Sequence, residues 1–277
     1  MTTWRLGDRL VNRIGFGAMR LPQTGPAFEP GSPPRDRDQA ITVLRKAIDL
    51  GVNHIDTAAF YFSSRRSANE LINSALAPYP EDLVIATKVG PSRAPSGEWR
   101  PPATPHDLRG QVEENLRQLG RDHLDLVYLR AEGPGPVTDH FAALAELREA
   151  GLIRHLGLSA VGPRHLAEAQ AIAPVGAVQN AYGLGYRTRQ DEVIRLCGEQ
   201  GVAFVPFFSI TGANRESGGG TDARTRLAWT LTRGKHVLVI PGTGDPAHLE
   251  ENLAAATMPL PEEELKKLNA IHKAGIA

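Results

Sequence analysis

Short runs rich in Val, Ile, Leu and Phe alternate along the chain with longer segments whose apolar positions recur every three to four residues. The first pattern suits strands and the second amphipathic helices. Strands are expected over residues 13–17, 52–56, 83–88, 124–130, 153–159, 177–180, 202–207 and 237–240. Helices are expected over 36–50, 67–77, 104–119, 138–150, 163–173, 187–200, 222–232 and 246–256. Some helix ends carry their own signals: Thr104-Pro105 opens one, and Gly51, Gly120, Gly151 and Gly201 close others.

Eight strands alternating with eight helices predict an α/β fold of parallel strands joined by crossover helices, a (β/α)8 TIM barrel. The opening WRLG-D-RLVN pattern predicts a β-hairpin ahead of the first barrel strand, closing the bottom of the barrel. No break in composition divides the series, so one domain over residues 1–277 is expected. An open nucleotide-binding sheet would place G-x-G-x-x-G after its first strand, whereas here that strand runs into GFGAMRLPQTG. Residues 22–35, rich in Pro and Gly, and 209–220, with Gly218-Gly219-Gly220, are expected as loops on the C-terminal face. Both fit walls of a pocket, and the glycine run fits a flexible surface loop equally well.

Composition narrows the partners. Of 277 residues 41% are hydrophobic and 22% charged, enough apolar material for a sizeable core. Lys plus Arg (31) equals Asp plus Glu (31), so no overall field draws the chain to nucleic acid or to an anionic membrane, and a small-molecule partner is expected. Cys197 is the single cysteine and cannot form an internal disulfide. There is no apolar leader of signal-peptide length, and the longest apolar run, 202–208, is too short to cross a bilayer. A cytoplasmic setting is the resulting expectation. The pattern specifies no oligomeric state.

The chemistry concentrates in His54-Ile55-Asp56-Thr57-Ala58-Ala59-Phe60-Tyr61 and Ala86-Thr87-Lys88. Asp56 and Lys88 end adjacent strands and Tyr61 lies in the following loop, so all three are expected at the barrel mouth. A phenol has an ordinary pKa of about 10 and must become a better acid to donate a proton near neutrality. Lys88 is expected to lower it, with Asp56 holding the lysine charged. Each residue also has an ordinary role: a helix-capping Asp, a half-buried loop Tyr, a surface Lys. His54 and Asp56 offer two ligand-type side chains on one strand face, but no other histidine completes an H-x-H or H-E-x-x-H pattern, so no metal is expected. Phe60, Phe62, Trp99 and Phe208, with Phe207, suggest an aromatic-lined substrate pocket.

Eight ordered stretches carry a family resemblance: RIGFGAMRL, GVNHIDTAAFY, IATKVG, HLDLVYLR, IRHLGLSAV, VGAVQNAY, GVAFVPFF and VLVIPGTGDPAHLEEN. The chain resembles the aldo-keto reductases over nearly its whole length, and among them the bacterial branch that includes pyridoxal reductases. The resemblance implies NAD(P)H-dependent reduction of an aldehyde or ketone, with Asp56, Tyr61 and Lys88 as three members of a catalytic tetrad. The fourth, usually histidine, corresponds to Arg130. An arginine stays charged and cannot shuttle a proton. It can polarise the carbonyl, acidify Tyr61, grip an anionic group, or pair with Glu132 at the lip.

The resemblance further assigns Gly17, Ala18, Met19, Ser159, Gln179 and Phe207 to the cofactor, with Ser159 and Gln179 bonding the carboxamide. Phe207 takes the place of a ring stacked on the nicotinamide, although a buried Phe is also ordinary core. Ala160 stands where the family usually has asparagine. Pro241-Gly242-Thr243-Gly244 before a helix presents backbone N–H groups to a phosphate. Gly242, Thr243, His248, Glu251 and Asn252 are thereby assigned to the adenosine end. The family implies NADPH as the cofactor, but it more often has arginine in place of His248 to pair with a 2′-phosphate, so that preference is weakened here and NADH is the alternative. Two rival functions remain: a cofactor-holding regulatory barrel, and a biosynthetic barrel performing dehydration or isomerisation. Retention of Tyr61 and Lys88 favours redox chemistry.

Overall fold

Seven parallel strands in chain order form the main sheet of the computed structural model, which describes residues 2–29, 31–185, 190–210 and 222–276. Ahead of them β1 (Thr3–Leu6) and β2 (Arg9–Asn12) pair as an antiparallel hairpin. The sheet runs β3 (Phe16–Gly17), β4 (His54–Asp56), β5 (Val84–Val89), β6 (Leu124–Arg130), β7 (Ile153–Ser159), β8 (Val175–Gln179) and β9 (Ala203–Phe204). Between these strands lie α1 (Arg37–Asp49), α2 (Ala68–Leu76), α3 (Leu108–Leu119), α4 (Thr138–Glu149), α5 (Pro163–Gln170) and α6 (Asp191–Glu199). After β9 come α7 (Ala223–Leu231), α8 (Pro246–Ala254) and α9 (Glu262–Ile276).

The eighth stave expected at 237–240 is present as backbone bridging instead of an extended ladder. Leu238 N–H donates to Phe204 O on one side, and Gly15 N–H to Val239 O on the other, each at 2.9 Å. Val239 N–H returns to Arg13 O at 2.9 Å. The ring therefore closes between β9 and β3 as a (β/α)8 barrel. Ladders are short at this seam because Pro206 and Pro241 carry no N–H to extend them. Backbone also meets backbone here. A Cβ on Gly17 would stand 2.6 Å from Ile240 O, and one on Gly242 would stand 2.5 Å from Gly17 O. Glycine at both positions lets the two strand ends touch.

Side chains alternate across the strands and split the core in two. Val84, Ala86, Leu126, Tyr128, Ala203 and Leu238 fill the barrel interior, and Leu6 and Val11 of the hairpin plug its lower end. The opposite faces of the same strands, among them Ile55, Ile85, Val127 and Leu156, pack against helix residues such as Leu44, Val112 and Leu144. Burying one such side chain favours folding by about 1.5–3 kcal/mol. By the same alternation Asp56 and Lys88 belong to the interior series, as its upper layer.

Helix starts follow from short polar caps. Asp36 accepts from Gln39 N at 2.8 Å and Asp245 from Ala247 N at 2.8 Å, while Thr104 and Asp107 form a capping box. Gly120 ends α3 at φ 63, a conformation that glycine adopts without Cβ strain. Several expectations need correction in extent: β3 starts at Phe16 instead of 13, β4 at His54 instead of 52 and β8 at Val175 instead of 177, β9 is confined to Ala203–Phe204 within 202–207, and α9 is additional to the eight expected helices. The Gly218–Gly220 run and the expected helix start at 187 lie outside the described residues. Among the described residues no helix is long and apolar enough to cross a membrane.

Candidate active site

The strand ends on one side of the barrel carry the polar residues. Gly17 is in register with Asp56 across β3 and β4, and Arg130, Ser159 and Gln179 form one row across β6, β7 and β8. At the centre Lys88 Nζ donates to Asp56 Oδ1 at 2.6 Å and to Thr57 O at 3.0 Å. From across the barrel Gln179 Nε2 donates to Asp56 Oδ2 at 2.6 Å. Both carboxylate oxygens are thus occupied by donors, in a place where the Lys88 and Asp56 side chains are 1% and 5% exposed. A desolvated pair persists when its remaining bonding capacity is met in this way.

Tyr61 lies over this pair, with Lys88 Nζ 4.8 Å from its ring centroid. Burial pushes the phenol above its ordinary range. Lys88 pulls it back, Asp56 pushes it further up, and Arg130 pulls weakly down. The net lowering expected from sequence is therefore corrected: the lysine's field is present, but desolvation outweighs it. For Lys88, burial disfavours the ammonium, yet Asp56 and Tyr61 prevail and raise it above its ordinary range. The site at neutral pH thus holds a neutral phenol beside a fixed cation. Tyr128, paired with Lys88 in register, is also pushed up by burial and by Asp56, but it belongs to the packed interior instead of the mouth.

The mouth opens into a cleft of about 1100 Å³. Gly17, Met19, Asp56, Phe60, Tyr61, Trp99, Arg130, Gln179, Phe207, Phe208 and Gly242 all line it. Arg130 Cζ stands 5.3 Å from the Phe207 ring centroid, so the guanidinium covers one face of that ring. Among the described residues it makes no ion pair with Glu132, although its field opposes the burial that raises the Glu132 carboxyl. Phe208 meets Phe207 edge-on at 4.8 Å and is held at φ 65. Ala160, at φ 59, and Phe28, at φ 69, share that unusual backbone state. The asparagine usual at 160 in the family tolerates this conformation better than alanine does.

Other expected residues fall elsewhere. Ser159 lies buried beside the cleft, and its hydroxyl has no hydrogen-bond partner among the described residues. Gln179 Oε1 is likewise buried and unpartnered, because Nε2 is committed to Asp56. Ala18 is buried in the outer core. Phe62 lines a neighbouring cavity of about 660 Å³ together with Lys88 instead of the main cleft. Thr243 and Asn252 are buried near α8, while His248 and Glu251 are exposed. His54 packs against Gly15, and burial lowers its imidazole to about 4.

Several residues that organise the site were not singled out from sequence. Arg93, 7% exposed, has no carboxylate partner among the described residues. Its Nε donates to Gly97 O at 2.9 Å, Nη1 to Phe62 O at 2.9 Å and Phe60 O at 3.2 Å, and Nη2 to Phe28 O at 3.1 Å. One guanidinium thereby ties three mouth loops together and sits 4.5 Å from the Phe62 ring. Phe28 packs on Tyr61 at 5.7 Å and on Trp99 at 5.3 Å. Beneath, Thr57, Asn69, Asn115 and Thr87 form a buried hydrogen-bonded chain that fixes the backbone carrying the Thr57 carbonyl. The available signal for Arg93 was a cation three residues beyond Gly90, just past the Lys88 strand.

Two buried acceptor or hydroxyl groups left without partners beside a cleft suit an amide-bearing ring: Gln179 Oε1 can accept from its NH2, and Ser159 can donate to its carbonyl. The residues present therefore fit a nicotinamide carboxamide.

Comparison with known proteins finds relatives over nearly the whole chain. The pattern of the aldo/keto reductase family matches residues 13–224. The chain is 43% identical over 288 residues to pyridoxine 4-dehydrogenase of Escherichia coli, covering 98% of each chain. A thermostable aldo-keto reductase crystallised with the inhibitor epalrestat superposes with TM-score 0.80 at 28% identity, over 98% of this chain and 100% of that one. An aldo-keto reductase of Klebsiella pneumoniae in complex with NADPH has the same fold, with TM-score 0.77 at 24% identity over 98% and 95%.

Proposed function

The chain belongs to the aldo/keto reductase family, and on that premise we propose that it reduces a small aromatic aldehyde to the alcohol with NADPH, pyridoxal being the first candidate. The carrying observation is the Asp56–Lys88 pair beneath a neutral Tyr61 at the mouth of an aromatic cleft. NADPH, when bound, supplies the hydride. Ser159 and Gln179, with an unpartnered hydroxyl and an unpartnered amide oxygen, would hold its carboxamide, and the backbone of the loop at Gly242 and Thr243 would take its phosphates.

Tyr61 provides the proton. Burial keeps the phenol protonated until substrate arrives, so it reaches the carbonyl oxygen as an O–H donor. As the carbonyl carbon accepts hydride, the oxygen takes the Tyr61 proton and the alcohol forms. The phenolate left behind lies beside the Lys88 ammonium, which is already in place and costs no reorganisation. Asp56 and Thr57 O keep that ammonium fixed, and Gln179 holds the second carboxylate oxygen. Water then restores the proton on Tyr61.

Arg130 is the substrate-side cation. With its guanidinium on Phe207 in the cleft wall and no ion pair to Glu132 among the described residues, it is positioned for a phenolic or anionic ring substituent. Pyridoxal carries such a substituent, and the relative named pyridoxine 4-dehydrogenase supports it as the first substrate to test. The experiment is steady-state oxidation of NADPH with pyridoxal and unsubstituted benzaldehyde, using wild type and Tyr61→Phe. Turnover with wild type and a fall of at least about 100-fold in Tyr61→Phe, with cofactor affinity retained, is the expected result. Equal turnover in the two proteins overturns the assignment.

A further inference from the structure

Residues 241–252, PGTGDPAHLEEN, contain Asp245, Glu250 and Glu251 and no Lys or Arg. If this segment faces the adenosine end of the cofactor, its own side chains supply no permanent positive charge, and its one histidine, His248, is exposed in the first turn of α8. The structure brings a cation in from another element. Arg35, in the loop before α1, lies flat on Gly244: a Cβ at 244 would stand 2.1 Å from Arg35 Cζ. Glycine there is what lets the guanidinium sit against the loop backbone.

Arg35 is also only partly committed. Its Nε donates to Arg20 O at 3.1 Å, while neither Nη has a hydrogen bond or ion pair among the described residues. Arg20 lines the main cleft and likewise forms no ion pair among the described residues, donating through Nη1 to Gly25 O at 2.7 Å. Burial and the field of Arg20 both pull the Arg35 guanidinium below its ordinary range, against the pull of Asp245. Asp245 is the acidic group that Arg35 feels, and its Oδ1 is occupied in capping α8 through Ala247 N at 2.8 Å. Gln39 steadies the same loop by donating to Gly244 O at 2.8 Å. Two neighbouring guanidiniums with spare donors form an arrangement that a phosphate dianion relieves.

We propose that Arg35 is the residue that selects the phosphorylated cofactor, donating to the 2′-phosphate of NADPH against Gly244 in place of a cation on α8. This rests on the cofactor reading above. Arg20, on the cleft side, supports it electrostatically.

The test is equilibrium binding to the full chain, by calorimetry, of NADPH, NADH, adenosine 2′-monophosphate and adenosine 5′-monophosphate, with wild type, Arg35→Met and Arg35→Lys. Loss of a charge-assisted contact is expected to weaken NADPH and adenosine 2′-monophosphate by roughly 10- to 100-fold in Arg35→Met. NADH and adenosine 5′-monophosphate should change by no more than about twofold, and Arg35→Lys should recover part of the loss. Equal weakening of NADPH and NADH would mean that Arg35 only props the loop, and no weakening would mean that it does not touch the phosphate; either overturns the proposal while the function stands. A wild-type protein that binds neither dinucleotide overturns both.

Discussion

Replacing Lys88 with methionine removes a buried charge and leaves its partner behind. Asp56, 5% exposed at its side chain, would keep only the Gln179 donor at 2.6 Å, and Thr57 O would lose its bond at 3.0 Å. Methionine fills most of the lysine volume, so the cavity contribution is small and the cost is that of an uncompensated carboxylate. Breaking such a pair by removing one partner costs about 3–5 kcal/mol. At roughly 2–4 °C per kcal/mol for a chain of this size, the melting temperature should fall by about 6–20 °C. Thermal unfolding followed by far-UV circular dichroism reads this directly. The sign of the pH dependence follows from the raised Lys88 and Tyr61 values. A group that holds its proton more tightly when folded stabilises fully below its unfolded pKa and loses that contribution as pH rises through the folded one. The wild-type advantage should therefore persist at neutral and mildly acidic pH and shrink only above about pH 10. The double variant Lys88→Met with Asp56→Asn should recover much of the loss, since removing both charges removes the desolvation problem. A Lys88→Met melting temperature within about 2 °C of wild type would refute the reasoning, because it would mean the pair is not desolvated.

Ser159→Ala should leave the cofactor-free protein as stable as wild type or more so, since the buried hydroxyl is unpartnered, while weakening NADPH by roughly 5- to 10-fold; a lower melting temperature without cofactor would contradict the orphan reading. Gly242→Ala should cost about 1–3 kcal/mol, because its Cβ would stand 2.5 Å from the Gly17 carbonyl oxygen and neither backbone can yield freely; urea unfolding checks it, and a neutral change would contradict the tight seam. Cys197, buried and pushed up to about 12, should resist a thiol reagent in the native protein and react after unfolding; prompt native labelling would refute its burial.

Periodicity revealed the architecture because buried strands and amphipathic helices are local patterns. Residues 124–130 and 153–159 are strands to the residue. The seam was harder to read: 202–207 and 237–240 are apolar runs, but next to Pro206 and Pro241 the second run meets its neighbours only through the single bridges Phe204–Val237 and Ile14–Val239. The helix α9 opens with Glu262-Glu263-Glu264 after Pro261, a start signal whose apolar stripe of Leu265 and Leu268 is sparse. Of the site, Asp56 and Lys88 were legible because strand alternation and strand ends dictate where they point. The direction of the Tyr61 shift was not, since it depends on how deeply the loop residues Phe28 and Phe60 cover the phenol. Arg93 and Arg35 escaped for a related reason. Each acts on backbone brought near only by the fold, Arg93 on Phe28 from 65 residues away and Arg35 on Gly244.

The central claim is net hydride transfer to a carbonyl at Tyr61. Reduction of pyridoxal with NADPH deuterated at the transferable C4 position, analysed by mass spectrometry, tests it most directly. The account predicts an alcohol one mass unit heavier than that from unlabelled cofactor, formed by wild type and lost with Tyr61→Phe. Cofactor binding without labelled alcohol from pyridoxal or any aldehyde of a broad panel would contradict it and favour a barrel that holds the nucleotide without using it.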